Sequence, residues 1–304
     1  MNIVTKNSMM KKREVEAENV NEERPCKRMK TDIEKEGLWM ISSAFYIPKD
    51  EPLKPQGEDA HFIAEEEQTI GVADGVGGWA KHGIDSGEYA RELMKNSMTA
   101  VLGEGKDDGS VQVDPKRVLH EAFSKTKLPG ASTACILTHK DGVLRAVNVG
   151  DSGFMVFRDR ELLYASPTQQ RHFNCPYQLG NAQKSDRPDC AMEMEAEVVE
   201  GDLIVMGTDG LLDNMFSSEI EEIIEKFETE KEERVLQDLA WKIAGAACKN
   251  SLSTCYVSPF EIANTMEGRE YGGGKVDDIM VIVGKIVRHS DLKMCTFSKD
   301  SFPQ

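Results

Sequence analysis

This chain has no run of eighteen apolar residues and no apolar stretch after Met1. A membrane span and a secretory leader are therefore not expected; a soluble intracellular protein, nuclear or cytoplasmic rather than organellar, is. Its seven cysteines (26, 135, 175, 190, 248, 255 and 295) are odd in number and form no CxxC or Cys/His spacing. Such a set points to neither a disulfide framework nor a zinc site, and it suits a reducing compartment. Basic residues are short as well. With 37 Lys and Arg against 53 Asp and Glu, the net charge of −16 repels polyanions, so neither nucleic acid nor a membrane is an expected partner. Also missing are a GxxxxGK[ST] phosphate loop, a GxSxG elbow, an HExxH pair and any internal repeat. Their absence sets aside P-loop nucleotide binding, an elbow-borne serine nucleophile and zincin-type hydrolysis.

What is plentiful is acidic residues beside glycine at the edge of apolar runs. Five stretches share this pattern: GEDAHF (57–62), GVADGVGGWA (71–80), NVGDSGF (148–154), VMGTDGLLDN (205–214) and GGGKVDDIMVIV (272–283). Asp-Gly alone reads as a turn. Five such turns beside strands say more, because a sheet fixes a carboxylate at a strand end and glycine lets an ion or a second backbone come close. Asp74, Asp209 and either Asp277 or Asp278 are an all-oxygen donor set suited to Mg²⁺ or Mn²⁺. Converging carboxylates repel by about 4 kcal/mol per pair at 4 Å and an effective dielectric of 20, so the pattern favours two ions over one. A two-ion site activates water and clamps both oxygens of an in-line displacement at phosphorus, which makes phosphomonoester hydrolysis the natural reaction. GTDG is also compatible with an aspartyl-phosphate enzyme, but it lacks a second aspartate two residues on.

Periodicity predicts strands at 39–47, 60–64, 69–73, 132–138, 143–149, 153–158, 161–165, 194–199, 202–207 and 279–287, many joined by turns too short for anything but hairpins. Helices are expected at 86–101, with Tyr89, Ala90, Leu93, Ser97 and Val101 on one face, and at 115–125 behind an Asp114-Pro115 start. Two more are expected from Ser218, with Glu221 closing a capping box, and over 233–248. Paired helices among hairpin strands argue for an α+β fold: a sandwich of two antiparallel sheets with a helix pair over each outer face. An acidic site would lie where strand ends of the two sheets meet.

In their order, GEDAHF, ADGVGGW, NVGDSGF, GTDGLLDN and GGKVDDI resemble the metal-dependent serine/threonine phosphatases of the protein phosphatase 2C family over roughly residues 39–288. Within it the resemblance is to the T-cell activation protein phosphatase branch, which has many plant members. It implies a four-layer α/β/β/α sandwich, phosphoprotein substrates, and a hydroxide held between two Mn²⁺ or Mg²⁺ ions as the attacking group. Asp74 would bridge both ions, with Gly75 lending its carbonyl and Asp209 and Asp277 completing one shell. Asp151 would match the ligand of a weaker third ion, and Glu58 and Asp59 would hold metal-bound waters. Asp213 and Asp278 are read as buried, hydrogen-bonded carboxylates beside the site. Lys54 stands where the family has a phosphate-binding arginine, Val76 where many members have a histidine, and GDSG where GDSR is usual. No general acid is assigned; His61 and His82 are read as structural. These departures keep a second reading open, a pseudophosphatase that serves as a binding scaffold. Trp79 is expected to pin its loop to the core, and residues 169–180 read as a variable loop near the cleft.

The expected organisation is a charged tail over 1–36, a catalytic domain over 37–290 and a short tail over 291–304. The first tail holds two basic clusters, KKR (11–13) and CKRMK (26–30), in the pattern of a bipartite import signal for a nuclear import receptor.

Overall fold

A computed structural model of the chain describes residues 37–52, 54–104, 113–229 and 236–291. The basic clusters at 11–30, the tail at 1–36 and all but Asp291 of the segment 291–304 lie outside the described residues.

Ten strands make two five-stranded antiparallel sheets. They are β1 (Leu38–Ile47), β2 (Asp59–Ala64), β3 (Thr69–Asp74), β4 (Ala134–Lys140), β5 (Val143–Val149), β6 (Gly153–Arg158), β7 (Glu161–Ala165), β8 (Met192–Glu197), β9 (Leu203–Gly207) and β10 (Ile279–Arg288). One sheet runs β1-β10-β9-β6-β7 and the other β8-β5-β4-β3-β2. The hairpins β4–β5 and β6–β7 close through two-residue turns in which Asp141 and Gly142, and Asp159 and Arg160, all have positive φ. That is the twist a two-residue turn needs to match its strands.

Alternation along each strand builds the layers. On β9, Ile204 and Met206 face the other sheet, packed with Val72, Cys135 and Leu137, while Leu203 and Val205 face the helices α3 (Ser217–Thr229) and α4 (Leu236–Ser251). Behind the second sheet, Phe62, Ile136 and Val149 pack on α1 (Ser86–Glu104) and α2 (Pro115–Lys125). The five residues expected on the inner face of α1 are all buried. Asp114 caps α2, its carboxylate accepting from Lys116 N at 2.9 Å ahead of Pro115. The outcome is the expected four-layer sandwich.

Three local readings differ. First, α3 begins one residue early, so its first turn is closed by Glu219, whose carboxylate accepts from Phe216 N at 2.9 Å; Glu221 instead accepts from Leu162 N on β7. Second, α4 runs on to Ser251, and its expected start at 233 lies outside the described residues. Third, an unforeseen helix, α5 (Pro259–Met266), sits between α4 and β10, with Ser258 accepting from Glu261 N at 3.0 Å. Ser258-Pro259-Phe260-Glu261 carries the cap, first-turn proline and third-position acid of a helix start, so the signal was there to read.

Candidate metal centre

Sheet register does the first part of the assembly. Asp59 opens β2 and Asp74 closes β3, and the ladder pairs them directly across from one another. Thr133 then holds the backbone at Asp74 from both sides: its N–H donates to Asp74 O at 2.9 Å and its hydroxyl accepts from Asp74 N at 3.0 Å. In the other sheet β9 and β10 are neighbours, so Asp209, just past the end of β9, and Asp277, just before β10, arrive at the same end of the sandwich. Asp151 lies between β5 and β6, where the chain crosses from one sheet to the other.

Close approach explains two glycines. A Cβ on Gly75 would lie 2.6 Å from Ser86 O, and one on Gly210 would lie 1.8 Å from Asp278 O. Neither position admits a side chain without moving backbone.

Among the described residues, Asp74, Asp151 and Asp209 each bring one carboxylate oxygen to within 4.8 Å of the others. Burial, and after it the nearby carboxylates, hold Asp74 well above the usual carboxylate range, with Asp209 the first of those neighbours. Burial likewise raises Asp209, with Lys275 opposing, and pushes Asp151 up to about 7. Asp59 is buried and raised, mainly by desolvation and then by Asp278; one of its oxygens accepts from Thr208 Oγ1 at 2.7 Å. Its other oxygen, like Asp151 Oδ1, is buried with no hydrogen-bond partner. Such an arrangement is costly unless a cation shares it. The donors are carboxylates alone, without sulfur or imidazole, so the cluster fits a hard divalent cation.

The remaining predicted residues are arranged around two lysines. Lys49 Nζ lies 3.2 Å from Glu58, 3.2 Å from Asp277 and 3.4 Å from Asp278. Lys275 Nζ pairs with Asp209, with Asp213 at 2.7 Å and with Asp277 at 3.4 Å. Asp277 thus stands outside the tight group, between the two lysines, while Asp151 stands inside it. Lys54 Nζ lies 2.8 Å from Glu58 Oε1. Asp278 has a backbone-fixing role, accepting from Glu58 N at 3.0 Å, Lys49 N at 2.9 Å and Tyr46 OH at 3.1 Å. Burial pushes Asp213 up to about 6, against the pull of Lys275.

Trp79 does not pin its loop to the core. Residues Gly77–His82 form a 3₁₀ turn with no buried member, and the indole lies edge-on to His82 at 6.0 Å. Sequence reasoning also passed over Lys49, Lys275 and Asn214. The Asn214 side chain donates to Lys275 O and accepts from Lys275 N, each at 2.8 Å, and so sets the segment ahead of β10. Lys275 stands inside a motif already singled out, so its place in the motif was the available signal.

Two facing antiparallel sheets between helix layers, with carboxylates from both sheets at one end, define the class of fold. No family model matches the chain. It is 44% identical over 249 residues to "Probable protein phosphatase 2C 55" of Arabidopsis thaliana, covering 82% of this chain and 52% of that protein. It is 35% identical over 283 residues to "Protein phosphatase PTC7 homolog fig" of Drosophila grimshawi, covering 86% of this chain and 91% of the relative. Among solved structures, that of the photosystem II phosphatase PBCP superposes with a TM-score of 0.72 at 30% identity, covering 81% of this chain and 98% of the other. The catalytic domain of the serine threonine protein phosphatase PstP, in complex with two manganese ions, shares the fold with a TM-score of 0.55 at 17% identity, covering 82% and 99%. The chain belongs to the protein phosphatase 2C family. The chain spans 52% of that Arabidopsis protein and 59% of a second one, "Probable protein phosphatase 2C 80", and the narrower branch is not distinguished by these likenesses. No helix among the described residues is long and apolar enough to cross a membrane.

Proposed function

We propose that this chain is a divalent-cation-dependent protein phosphatase acting on phosphoserine and phosphothreonine. The observation that carries the reading is the meeting of Asp74, Asp151 and Asp209 from three separate motifs. Two ions, Mn²⁺ or Mg²⁺, are assigned to Asp74, the Gly75 carbonyl, Asp209 and Asp277, and a weaker third to Asp151. When bound, they supply charge neutralisation and an activated water for attack at phosphorus. The chain's own groups do the rest. Glu58 and Asp59 orient water from the second layer, Asp59 being held by Thr208. Lys54 binds the phosphate as a point charge, without the fork that arginine offers. Lys49 and Lys275 balance the carboxylates that surround them.

The test is release of phosphate from a phosphothreonine peptide with Mn²⁺, with and without EDTA, for the wild type and for Asp74→Asn. Hydrolysis lost in EDTA and in the variant is expected; hydrolysis that persists in chelator would overturn the reading. Metal binding without turnover of any phosphopeptide would select the scaffold alternative. We assign residues 11–30 to nuclear import, checked by whether deleting them moves a fluorescent fusion out of the nucleus.

A further inference from the structure

The two sheets have four outer edges, and three of them are defended. On β7 the Leu162 amide donates to Glu221 at 2.8 Å, on β1 the Met40 carbonyl accepts from Gln68 Nε2 at 3.0 Å, and β8 carries exposed Glu193, Glu195 and Glu197. The fourth edge, β2, is left open. Gly75 N donates to Glu58 O at 3.0 Å, which fixes the alternation of the β2–β3 ladder. Ala60, Phe62 and Ala64 therefore turn their amides and carbonyls toward β3, while Asp59, His61 and Ile63 turn theirs outward. Among the described residues, nothing hydrogen-bonds to the main chain of His61 or Ile63.

Along this edge runs a cavity of about 490 Å³, within the size range of ligand pockets. Four consecutive residues of β2, 59–62, line it, and α1 forms one wall with Arg91, Met94, Lys95 and Met98, a single stripe of that helix. Phe62 and Met94 are buried and Met98 is half-buried, so the hollow is apolar. Its rim is cationic. Arg91 is anchored, donating to Gly57 O at 2.9 Å and pairing with Asp85 at 3.2 Å, whereas Lys95 has no ion pair among the described residues. Only Asp59 is shared with the metal centre, and at 4% exposure it offers a ligand almost no surface.

These features together select an extended peptide over a compact ligand. Outward amides and carbonyls two residues apart call for another main chain, the hollow of Phe62, Met94 and Met98 takes an apolar side chain from it, and Lys95 takes a carboxylate two residues along on the same face. We propose that the free edge of β2 is a docking site for an extended segment of a partner protein, one in which an acidic and an apolar residue stand two apart. The segment adds as a sixth strand, antiparallel like every other pairing in that sheet. The net charge of −16 opposes an acidic segment at long range, so its recognition is local to the rim.

The test is fluorescence anisotropy of the full chain with a labelled peptide, STDVIVDTS, whose central pattern is the same in both directions. Binding with a Kd below about 1 mM is expected, weakened about tenfold in STKVIVKTS. N-methylation of both valines, whose amides face β2, is expected to weaken it at least about tenfold, and N-methylation of the isoleucine, whose amide faces away, to leave it within about twofold. His61→Pro removes an outward amide at an edge position that admits proline, and is expected to weaken binding about tenfold. Lys95→Glu, at an exposed helix position, is expected to reverse the preference so that STKVIVKTS binds tighter, which decides the matter even where His61→Pro does not fold. Absence of saturable binding to the wild type, equal or tighter binding of STKVIVKTS by the wild type, or indifference to methylated valines overturns the site. No readout requires catalysis, so the outcome is independent of the phosphatase reading.

Discussion

Two halves of one acidic site are treated in opposite ways. Around Glu58, Asp277 and Asp278 the chain supplies its own cations, Lys49 and Lys54, at 2.8 to 3.4 Å. Asp74 is held at its backbone by Thr133, Asp151 accepts from the Gln170 amide with Lys275 acting on it only through its field, and both carboxylates are held above their usual range. Asp209 belongs to both halves, facing Asp74 and Asp151 on one side and Lys275 on the other. The contrast shows where an external cation is wanted. Desolvated charge without an internal partner is costly, so the half without lysines gains most from a bound ion.

The largest effect should come from removing charge in that half. Asp74→Asn is expected to cut phosphopeptide turnover about a hundred- to a thousandfold, a loss of the size seen when a key electrostatic group is removed. It should also abolish the rise in melting temperature that Mn²⁺ gives the wild type, which links binding to stability. An Asp74→Asn protein that keeps full activity and full Mn²⁺ stabilisation would erase the distinction between the halves.

Next comes Lys275, the cation at the boundary. Lys275→Met leaves Asp209 and Asp213 without their counter-charge, and metal-free stability should fall by about 3 kcal/mol in urea titrations. Calorimetric Mn²⁺ affinity should meanwhile rise about tenfold, because an ion no longer competes with an internal ammonium. Unchanged affinity would mean that Lys275 belongs only to the self-balanced half. Asn214→Ala removes both hydrogen bonds that set the Lys275 backbone and should cost roughly 2 kcal/mol in the same titration.

The smallest expected effect is in pH dependence. A carboxylate whose folded value is raised binds its proton longer in the folded chain than in the unfolded one, so the folded state loses stability as pH climbs between the two values. With Asp151 pushed up to about 7 and Asp213 to about 6, the window is about pH 4 to 7. In EDTA, the melting temperature of wild type relative to Asp151→Asn should fall by a few degrees across this window, and saturating Mn²⁺ should flatten the fall. A difference that rises with pH would place Asp151 in the self-balanced half.

Much of this architecture was legible in the sequence for local reasons. The inner face of α1, the capped start of α2 and the alternation of β9 and β10 follow from helical or twofold periodicity and from turn chemistry. What escaped was governed by register or by distant partners. The cap of α3 fell to Glu219 rather than Glu221 because the helix starts one residue early, while a strand amide at Leu162 claimed the other side chain. Helix α5 is a different case, local and announced by Ser258-Pro259-Phe260-Glu261, but at eight residues it offers only two turns over which periodicity can show.

The chain's order of residues settled which acidic groups stand at strand ends beside glycine, and hence that an oxygen-only cation site was in prospect. Folding alone decided how they divide: the ladder that faces Asp59 with Asp74, the crossing that carries Asp151 into their company, and the pairing of Asp277 with two lysines. The reason is physical. Periodicity and turn preference act over a few residues, whereas Coulomb forces and desolvation act between groups that the sheets bring together from opposite ends of the polypeptide.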